Sequence, residues 1–191
     1  STGVLLLGDK GSGKTLLTKK VASIVQTKHK MPVIIINEPH AGQEFNQFIA
    51  KIDQPALVVF DEFDKTYDND EQEKLLTLLD GTVESKKLFI FTANAGHIDD
   101  HLLNRPGRIY YKFQYGGLDQ EFIQDYIAEN LDRLRHADEL IRVCQSFSCM
   151  TFDMLQAMVE EVDRYDESPV TVMHSLNVDI SCESTHYSIT V

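Results

Sequence analysis

Residues 8–15 read Gly8-Asp9-Lys10-Gly11-Ser12-Gly13-Lys14-Thr15 and fit the phosphate-binding loop pattern G-x-x-x-x-G-K-[ST] at every defined position. An apolar run at 4–7 precedes the loop as a buried strand, and a helix-forming stretch at 16–26 follows it. The glycines let backbone N–H groups turn inward around phosphate oxygens, and the start of the helix adds the positive end of its dipole. We therefore predict that all eight residues bind nucleotide phosphates, with Lys14 reaching the β- and γ-phosphates and Thr15 holding Mg²⁺.

A second apolar run, 57–60, ends in the acidic pair Asp61-Glu62. This arrangement is typical of a Walker B strand, which supplies a magnesium-binding carboxylate and a group that activates water. The sequence predicts that Asp61 binds Mg²⁺ directly or through water, and that Glu62 polarises the water that attacks the γ-phosphate. Acidic pairs after apolar strands are common, so the upstream phosphate loop is what makes this interpretation strong.

Polar residues at two later places complete the predicted catalytic set. Asn94 ends the apolar strand that begins at Phe89, where its amide could hold the attacking water. Arg105 and Arg108 flank a Pro-Gly pair. Such a guanidinium pair could reach the γ-phosphate of a neighbouring subunit as arginine fingers. We predict Glu62, Asn94, Arg105 and Arg108 as the catalytic residues.

Strands and helices alternate over the first two-thirds of the chain. Apolar strands separated by helices predict a parallel sheet covered on both faces; they lie at 4–7, 33–36, 57–60, 88–91 and 109–113. Helical patterns then follow one another at 119–131, 132–147 and 152–165. We predict an α/β nucleotide-binding core at 1–116, a small helical lid at 117–166 and a tail at 167–191 whose loose alternation suggests strands.

Composition limits the classes of protein to which the chain can belong. Its 191 residues suffice for one ordinary domain, or one with a small satellite. The formal net charge of −12 disfavours non-specific binding to nucleic acid, which needs clustered Lys and Arg. No apolar run reaches membrane-spanning length. Cys144, Cys149 and Cys182 form neither a disulfide framework nor a metal cluster, so we expect a soluble protein in the cytoplasm or another reducing intracellular compartment.

Together these motifs resemble the AAA+ ATPases, and among them the AAA clade in the strict sense. The resemblance covers about residues 3–165, with Asn94 as the sensor 1 residue and 104–109 as the two-arginine segment. Arg105-Pro106-Gly107-Arg108 is especially similar to the Bcs1-type subgroup. The resemblance implies a P-loop NTPase fold with a five-stranded sheet of order 5-1-4-3-2. It also implies ATP as the nucleotide and Mg²⁺ as its metal ion.

The resemblance further implies a homo-oligomeric ring, usually hexameric, in which the arginines of one subunit complete the site of the next. On that basis we expect an ATP-hydrolysing ring that remodels a protein or protein complex. One alternative is a DNA-associated AAA+ loader or regulator, against which the negative charge counts. Another is a nucleotide-gated scaffold, in which ATP binding orders the ring and turnover is incidental.

Several positions depart from the family's pattern or refine it. His40-Ala41-Gly42 stands where the clade carries an aromatic residue, an apolar residue and glycine, which puts the threading of a polypeptide in doubt. Asn37, at the end of the second strand, could restrain Glu62 or serve as a turn asparagine.

The third lid helix begins without an arginine, since Cys149-Met150-Thr151-Phe152 stands there. This absence agrees with the AAA clade and disagrees with clamp loaders and helicase loaders. Because the chain begins almost at its first strand, we expect the parent reading frame to continue upstream.

Overall fold

The computed structural model describes residues 2–79, 86–94, 98 and 108–177. The chain divides into two compact units, Ser1–Tyr115 and Gly116–Val191. This boundary lies one residue before the change from core to helical subdomain that the sequence predicts at 116/117.

The first unit contains a parallel sheet whose strands are β1 (Thr2–Gly8), β2 (Val33–Ile36), β3 (Ala56–Phe60), β4 (Lys87–Ala93) and β5 (Ile109–Tyr115). Their order is β2-β3-β4-β1-β5, which is the predicted order 5-1-4-3-2 read from the opposite edge. The register pairs Phe60 with Phe91 and Leu7 with Ala93. Consequently the residues that follow β1, β3 and β4 meet at the carboxyl edge of the sheet, where ligands bind in open α/β folds.

Helices cover both faces of this sheet. The first unit contains α1 (Lys14–His29), α2 (Gln43–Ala50), α3 (Phe63–Thr66) and α4 (Asn69–Leu79). Val25 of α1 packs with Leu6 and Val59, whereas Ile49 of α2 and Leu75 of α4 pack in the cluster that contains Leu5. Since neighbouring strand residues face opposite sides of a sheet, α1 lies on one face and α2 and α4 on the other. The prediction of a sheet covered on both faces is confirmed for the central strands β1, β3 and β4, whereas most residues of the edge strand β5 are exposed.

Aromatic rings form the core directly beneath the acidic pair. Phe60, only 1% exposed, stacks on Phe91 with ring centroids 4.9 Å apart and planes 6° apart. Phe63 and Tyr67 meet Phe60 edge-on, at 6.0 and 5.9 Å. Such pairs contribute beyond the burial of their area. The residue that precedes Asp61 is therefore fixed in a closely packed aromatic cluster.

The second unit is helical in the part that the structure describes. It contains α5 (Gln120–Asn130), a 3₁₀ turn (Leu134–His136), α6 (Ala137–Gln145), α7 (Phe152–Tyr165) and α8 (Pro169–Ser175). These elements bury one apolar cluster that includes Ile127, Leu140, Leu155, Val162 and Val172. The unit therefore has its own hydrophobic centre, in which Met150, Met158 and Met173 are buried and against which Met154 and Phe147 pack.

The helix predicted over 132–147 is interrupted at its start. The backbone N–H groups of Asp132 and Arg133 donate to the carboxylate of Asp163 on α7, at 3.0 and 2.8 Å. Leu131 has extended dihedral angles, and regular α-helix resumes only at Ala137. A carboxylate that accepts two successive backbone N–H groups replaces the helical bonds these groups would otherwise make.

The strands suggested for the tail are wrong for residues 169–175, which form α8. Ser168 accepts a hydrogen bond from the Thr171 N–H at 3.3 Å, and Pro169 occupies the first turn, so the helix has a regular start. Burial of Val172 and Met173 in the core of the second unit then stabilises it. Residues 178–191 of the suggested strand region lie outside the described residues.

Candidate active site

The phosphate loop connects β1 to α1, as predicted for residues 8–15. Gly8 and Gly13 have backbone φ angles of 154° and 88°, which residues other than glycine rarely adopt. A Cβ atom on Gly8 would lie 2.6 Å from the Tyr115 carbonyl oxygen, so close packing also requires glycine there. Helix α1 begins at Lys14, immediately after the loop. Its unpaired first N–H groups are therefore available to an anion at the loop.

Lys14 extends back over the loop that precedes it. Its ammonium donates to the carbonyl oxygens of Gly8 and Asp9, both at 2.7 Å, and to Ser12 Oγ at 3.2 Å. Burial lowers the pKa of Lys14 below its ordinary value, while the carboxylates of Asp64, Asp9 and Asp61 oppose that shift. The loop thus holds a desolvated positive charge among oxygen acceptors, ready to pair with phosphate oxygens.

Thr15 and Asp61 are 46 residues apart in sequence but adjacent in the fold. The Thr15 hydroxyl lies 3.0 Å from Asp61 Oδ1 and 3.3 Å from Oδ2. A hydroxyl and a carboxylate are oxygen ligands of the kind that Mg²⁺ prefers, and this ion commonly takes its other ligands from phosphates and water. Among the described residues, no group of three or more His, Cys, Asp or Glu could hold a metal ion without such help. The pair therefore fits a nucleotide-bound Mg²⁺.

Thr92, which the sequence analysis did not select, holds both acidic residues in place. Its hydroxyl donates to Asp61 Oδ1 at 2.5 Å and accepts from the Glu62 N–H at 2.9 Å. The side chain is buried within β4, one residue beyond the Phe60–Phe91 pair. The sequence offers one indication of this role, because a strand order that places β4 beside β3 brings Thr92 next to Asp61.

Glu62 has the left-handed backbone angles φ 50° and ψ 46° at the start of the short helix α3. Its side chain is half-exposed and forms an ion pair with Lys65, with Nζ and Oε1 2.5 Å apart. The hydrogen bond to Glu62 raises the pKa of Lys65 above its ordinary value. Lys65, also absent from the predicted set, therefore remains charged beside the predicted base and contacts one of its two carboxylate oxygens.

Asn94 follows β4 and lies against α3. Its side-chain nitrogen donates to Asp64 Oδ2 at 3.1 Å, across 30 residues of sequence. Asp64 is a further residue of this region that sequence reasoning missed. Burial lowers the pKa of Lys14, and the carboxylate of Asp64 opposes that shift.

Asn37 lies near the site, where it lines the same cavity as Thr15 and Asp61. Within the described part of the chain, it makes no hydrogen bond to Glu62, whose side chain pairs with Lys65 instead. Asn37 lines a cavity of about 630 Å³ between α1, β2 and β3, together with Thr15 and Asp61. The restraint of Glu62 by Asn37 stays a prediction.

Of the two predicted arginines, the structure describes only Arg108. Arg105 lies outside the described residues. Arg108, immediately before β5, is only 5% exposed within the single chain. To act on the nucleotide of a neighbouring subunit, Arg108 would first have to become accessible.

The loop that carries His40-Ala41-Gly42 is tied to α3 by one phenol. The Tyr67 hydroxyl accepts from the His40 N–H at 3.1 Å and lies 3.3 Å from the carbonyl oxygens of Glu38 and His40. Tyr67 ends the helix that Glu62 begins. The His40 ring stacks on Phe45, with centroids 6.0 Å apart. A four-residue helix thus joins this loop to the predicted base.

A known protein family matches most of the first unit. The sequence profile described as "ATPase family associated with various cellular activities (AAA)" matches residues 4–116, more than half of the chain. The chain belongs to the AAA family. The matched segment of this AAA chain runs from β1 to the residue after β5 and includes every predicted site residue. The domain is an ATPase that uses ATP with Mg²⁺, as its resemblance to the family implied.

Individual relatives support the same family. The AAA chain is 34% identical over 134 residues to the ATP-dependent zinc metalloprotease FtsH of Heterosigma akashiwo, covering 56% of the chain and 19% of that protein. It is 30% identical over 158 residues to the human ATPase family gene 2 protein homolog A, covering 70% and 17%. It is 26% identical over 209 residues to the Proteasome-associated ATPase of Streptomyces coelicolor, covering 87% and 34%. The chain thus spans 34% or less of the length of these relatives.

A solved structure shows the same fold. A chain in the "Structure of E. coli MS115-1 HORMA:CdnC:Trip13 complex" superposes with a TM-score of 0.67 and 16% identity, covering 92% of the AAA chain and 72% of that chain. At this identity the likeness shows the fold alone, and it confirms the predicted α/β P-loop architecture. In the part of the chain that the structure describes, no helix is long and apolar enough to cross a membrane.

Proposed function

We propose that this AAA chain is the ATP-hydrolysing domain of a ring-forming motor that remodels a protein or protein complex. The observation that carries the proposal is the meeting of Lys14, the Thr15–Asp61 pair and Glu62 at one edge of the sheet. These groups come from two separate segments, and hydrogen bonds hold them together with Thr92 of a third. AAA proteins generally form oligomeric rings that act on proteins, which supports the proposal that this chain belongs to a ring-forming motor.

Residues 8–15 bind the phosphates of ATP in this proposal. The Lys14 ammonium exchanges its carbonyl acceptors for β- and γ-phosphate oxygens, to which it is more strongly attracted because they are charged. Thr15 and Asp61 would hold Mg²⁺, and the bound ion would supply neutralisation of the charge on the phosphates. Because Thr92 already fixes the Asp61 carboxylate, this ligand needs little reorganisation.

Hydrolysis requires a water aligned with the γ-phosphorus and acceptors for its protons. Glu62 accepts one proton through its carboxylate as the water oxygen bonds to phosphorus, and Asn94 orients the same water. The bond between the γ-phosphorus and the β–γ bridging oxygen breaks, which leaves ADP and inorganic phosphate. Lys65 contacts one oxygen of Glu62, so the second oxygen is the one that meets the water.

Arg105 and Arg108 complete a neighbouring site in this proposal, with a hexamer as the expected ring. A guanidinium supplied by another subunit stabilises charge in the transition state and contributes about 10³–10⁵-fold in rate in comparable phosphoryl-transfer enzymes. Since Arg108 is buried in the isolated chain, assembly has to expose it. Turnover should therefore depend on association.

The test measures ATPase rate per subunit against protein concentration, with molecular mass determined in parallel, on the wild type, Glu62→Gln and Lys14→Ala. A ring ATPase gives a rate per subunit that rises with concentration, and ATP locks Glu62→Gln in the large species. Lys14→Ala should show neither turnover nor ATP-dependent association.

A negligible rate at every concentration, with a monomer throughout, would contradict the proposal for this chain. Turnover that is independent of concentration in a verified monomer would refute the shared site but leave the ATPase intact. An ATP-dependent ring whose turnover rate is unaffected by any candidate partner would instead favour the nucleotide-gated scaffold.

A further inference from the structure

Asp64 contacts Asn94 but has no role in the proposed reaction as described above. Its Oδ2 accepts the hydrogen bond from Asn94, whereas its Oδ1 is buried with no hydrogen-bond partner among the described residues. Burial of a carboxylate oxygen without a hydrogen-bond partner is unfavourable, which suggests that Asp64 has a function beyond folding. Asp64 lies in the first turn of α3, two residues after Glu62.

The chemistry of the two side chains fixes the orientation of the Asn94 amide. An ionised carboxylate only accepts hydrogen bonds, so the atom of Asn94 that faces Asp64 must be the NH₂ nitrogen. The carbonyl oxygen of the same amide is then the atom left for other partners. Asp64 therefore selects one of the two orientations that an asparagine amide can otherwise adopt.

This orientation matters for a water that attacks phosphorus. Such a water directs a lone pair at the phosphorus and has two protons to donate. The Glu62 carboxylate takes one proton, and the Asn94 carbonyl oxygen can accept a hydrogen bond from the other. A reversed amide would present an N–H donor and compete for the lone pair that attacks.

We infer that Asp64 is a positioning residue for hydrolysis, which holds the Asn94 amide so that its carbonyl oxygen receives the attacking water. The inference rests on the proposed function, in which Asn94 orients that water. Asp64 acts through Asn94 and does not itself touch ATP. Its loss should therefore lower kcat without raising KM for ATP.

The experiment compares Asp64→Ala, Asp64→Asn, Asn94→Ala and the Asp64→Ala/Asn94→Ala double variant. Asp70→Ala serves as a matched control, because Asp70 is an exposed carboxylate in the first turn of the neighbouring helix α4. The measured quantities are kcat, KM for ATP and the affinity for a non-hydrolysable ATP analogue. Far-UV circular dichroism reports independently that each variant is folded.

We expect Asn94→Ala and Asp64→Ala each to lower kcat by about 10–100-fold, with KM changed less than about twofold. The double variant should be no slower than Asn94→Ala, since both changes remove the same function. Asp64→Asn can still accept from Asn94 in one of its two orientations, so its kcat should lie within about fivefold of the wild type. Asp70→Ala should match the wild type.

Asp64→Ala with wild-type kcat, beside an impaired Asn94→Ala, would overturn the role of Asp64 and leave the proposed function standing. Losses that multiply in the double variant would overturn it as well. Full activity of Asn94→Ala would instead refute the role of Asn94 in the proposed function itself. A weakened binding of the analogue by Asp64→Ala would show that Asp64 supports the binding of ATP rather than the positioning of water.

Discussion

Replacing Thr92 by valine removes one hydroxyl and leaves the side chain nearly the same shape. In the structure this hydroxyl donates to Asp61 and accepts from the Glu62 N–H, in a residue only 1% exposed. A hydrogen bond to a charged group contributes about 1.5–3 kcal/mol, and one between neutral groups contributes about 1 kcal/mol. We expect Thr92→Val to lower the free energy of unfolding of the first unit by about 3 kcal/mol.

Thr92→Ser provides the matched control. It keeps the hydroxyl and loses a single buried methyl group, which lowers stability by about 1 kcal/mol. The valine variant should therefore be about 2 kcal/mol less stable than the serine variant, which is the contribution of the two hydrogen bonds less that of the methyl group. The serine variant should also keep most of its ATPase activity, whereas valine should lower kcat because Asp61 and Glu62 lose their common anchor.

The assay is urea unfolding without nucleotide, followed by far-UV circular dichroism because the chain has no tryptophan. Hydrogen exchange at the Glu62 amide locates the change, since this N–H loses its acceptor only in the valine variant. Amides of the second unit should keep their wild-type protection. Equal stability of the valine and serine variants, within about 0.5 kcal/mol, would refute the reasoning.

Lys14→Ala should weaken ATP binding at least about 100-fold, because it removes the ammonium that the loop holds for the phosphates. Calorimetric titration of ATP checks this, with Lys28→Ala, at an exposed lysine of the same helix, as the control. Tyr67→Phe should lower stability by about 1 kcal/mol and speed hydrogen exchange at the His40 amide; unchanged exchange there would contradict the bond. Asp119→Ala removes the side chain that accepts from the Phe122 N–H at 2.7 Å and should destabilise α5 by about 1 kcal/mol, measured as faster exchange in that helix alone.

The sequence predicts the sheet well because each of the strands β1 to β4 contains an unbroken run of four apolar residues. The interior of each strand was located correctly, and β2 matches residue for residue. Periodicity does not encode which strands are neighbours, so the strand order came from the resemblance to a family. Once that order is accepted, the contact between Thr15 and Asp61 follows from it.

The supporting residues of the site escaped prediction because their roles depend on register. Thr92 matters because Phe91 pairs with Phe60, which places the next residue beside Asp61. Asp64 and Lys65 matter because a left-handed residue at position 62 turns the chain into α3. No local pattern specifies either event.

The second unit shows two further limits of local patterns. Val170 and Val172 alternate as in a strand, yet Ser168-Pro169 is a helix start and the helix is only seven residues long. The interruption before α6 depends on Asp163, which lies 31 residues from the N–H group of Asp132 that it binds. Neither a seven-residue helix nor a hydrogen-bond acceptor 31 residues away produces a clear pattern in a short segment of sequence.

The left-handed backbone of Glu62 also bears on how such a sequence would change over time. An L-residue with a side chain in this conformation costs about 1 kcal/mol relative to glycine, so the most stable fold and the most active enzyme prefer different residues at this position. Selection for turnover keeps the glutamate there. In a descendant that binds ATP but no longer hydrolyses it, drift toward glycine or asparagine at position 62 would be favoured by stability alone.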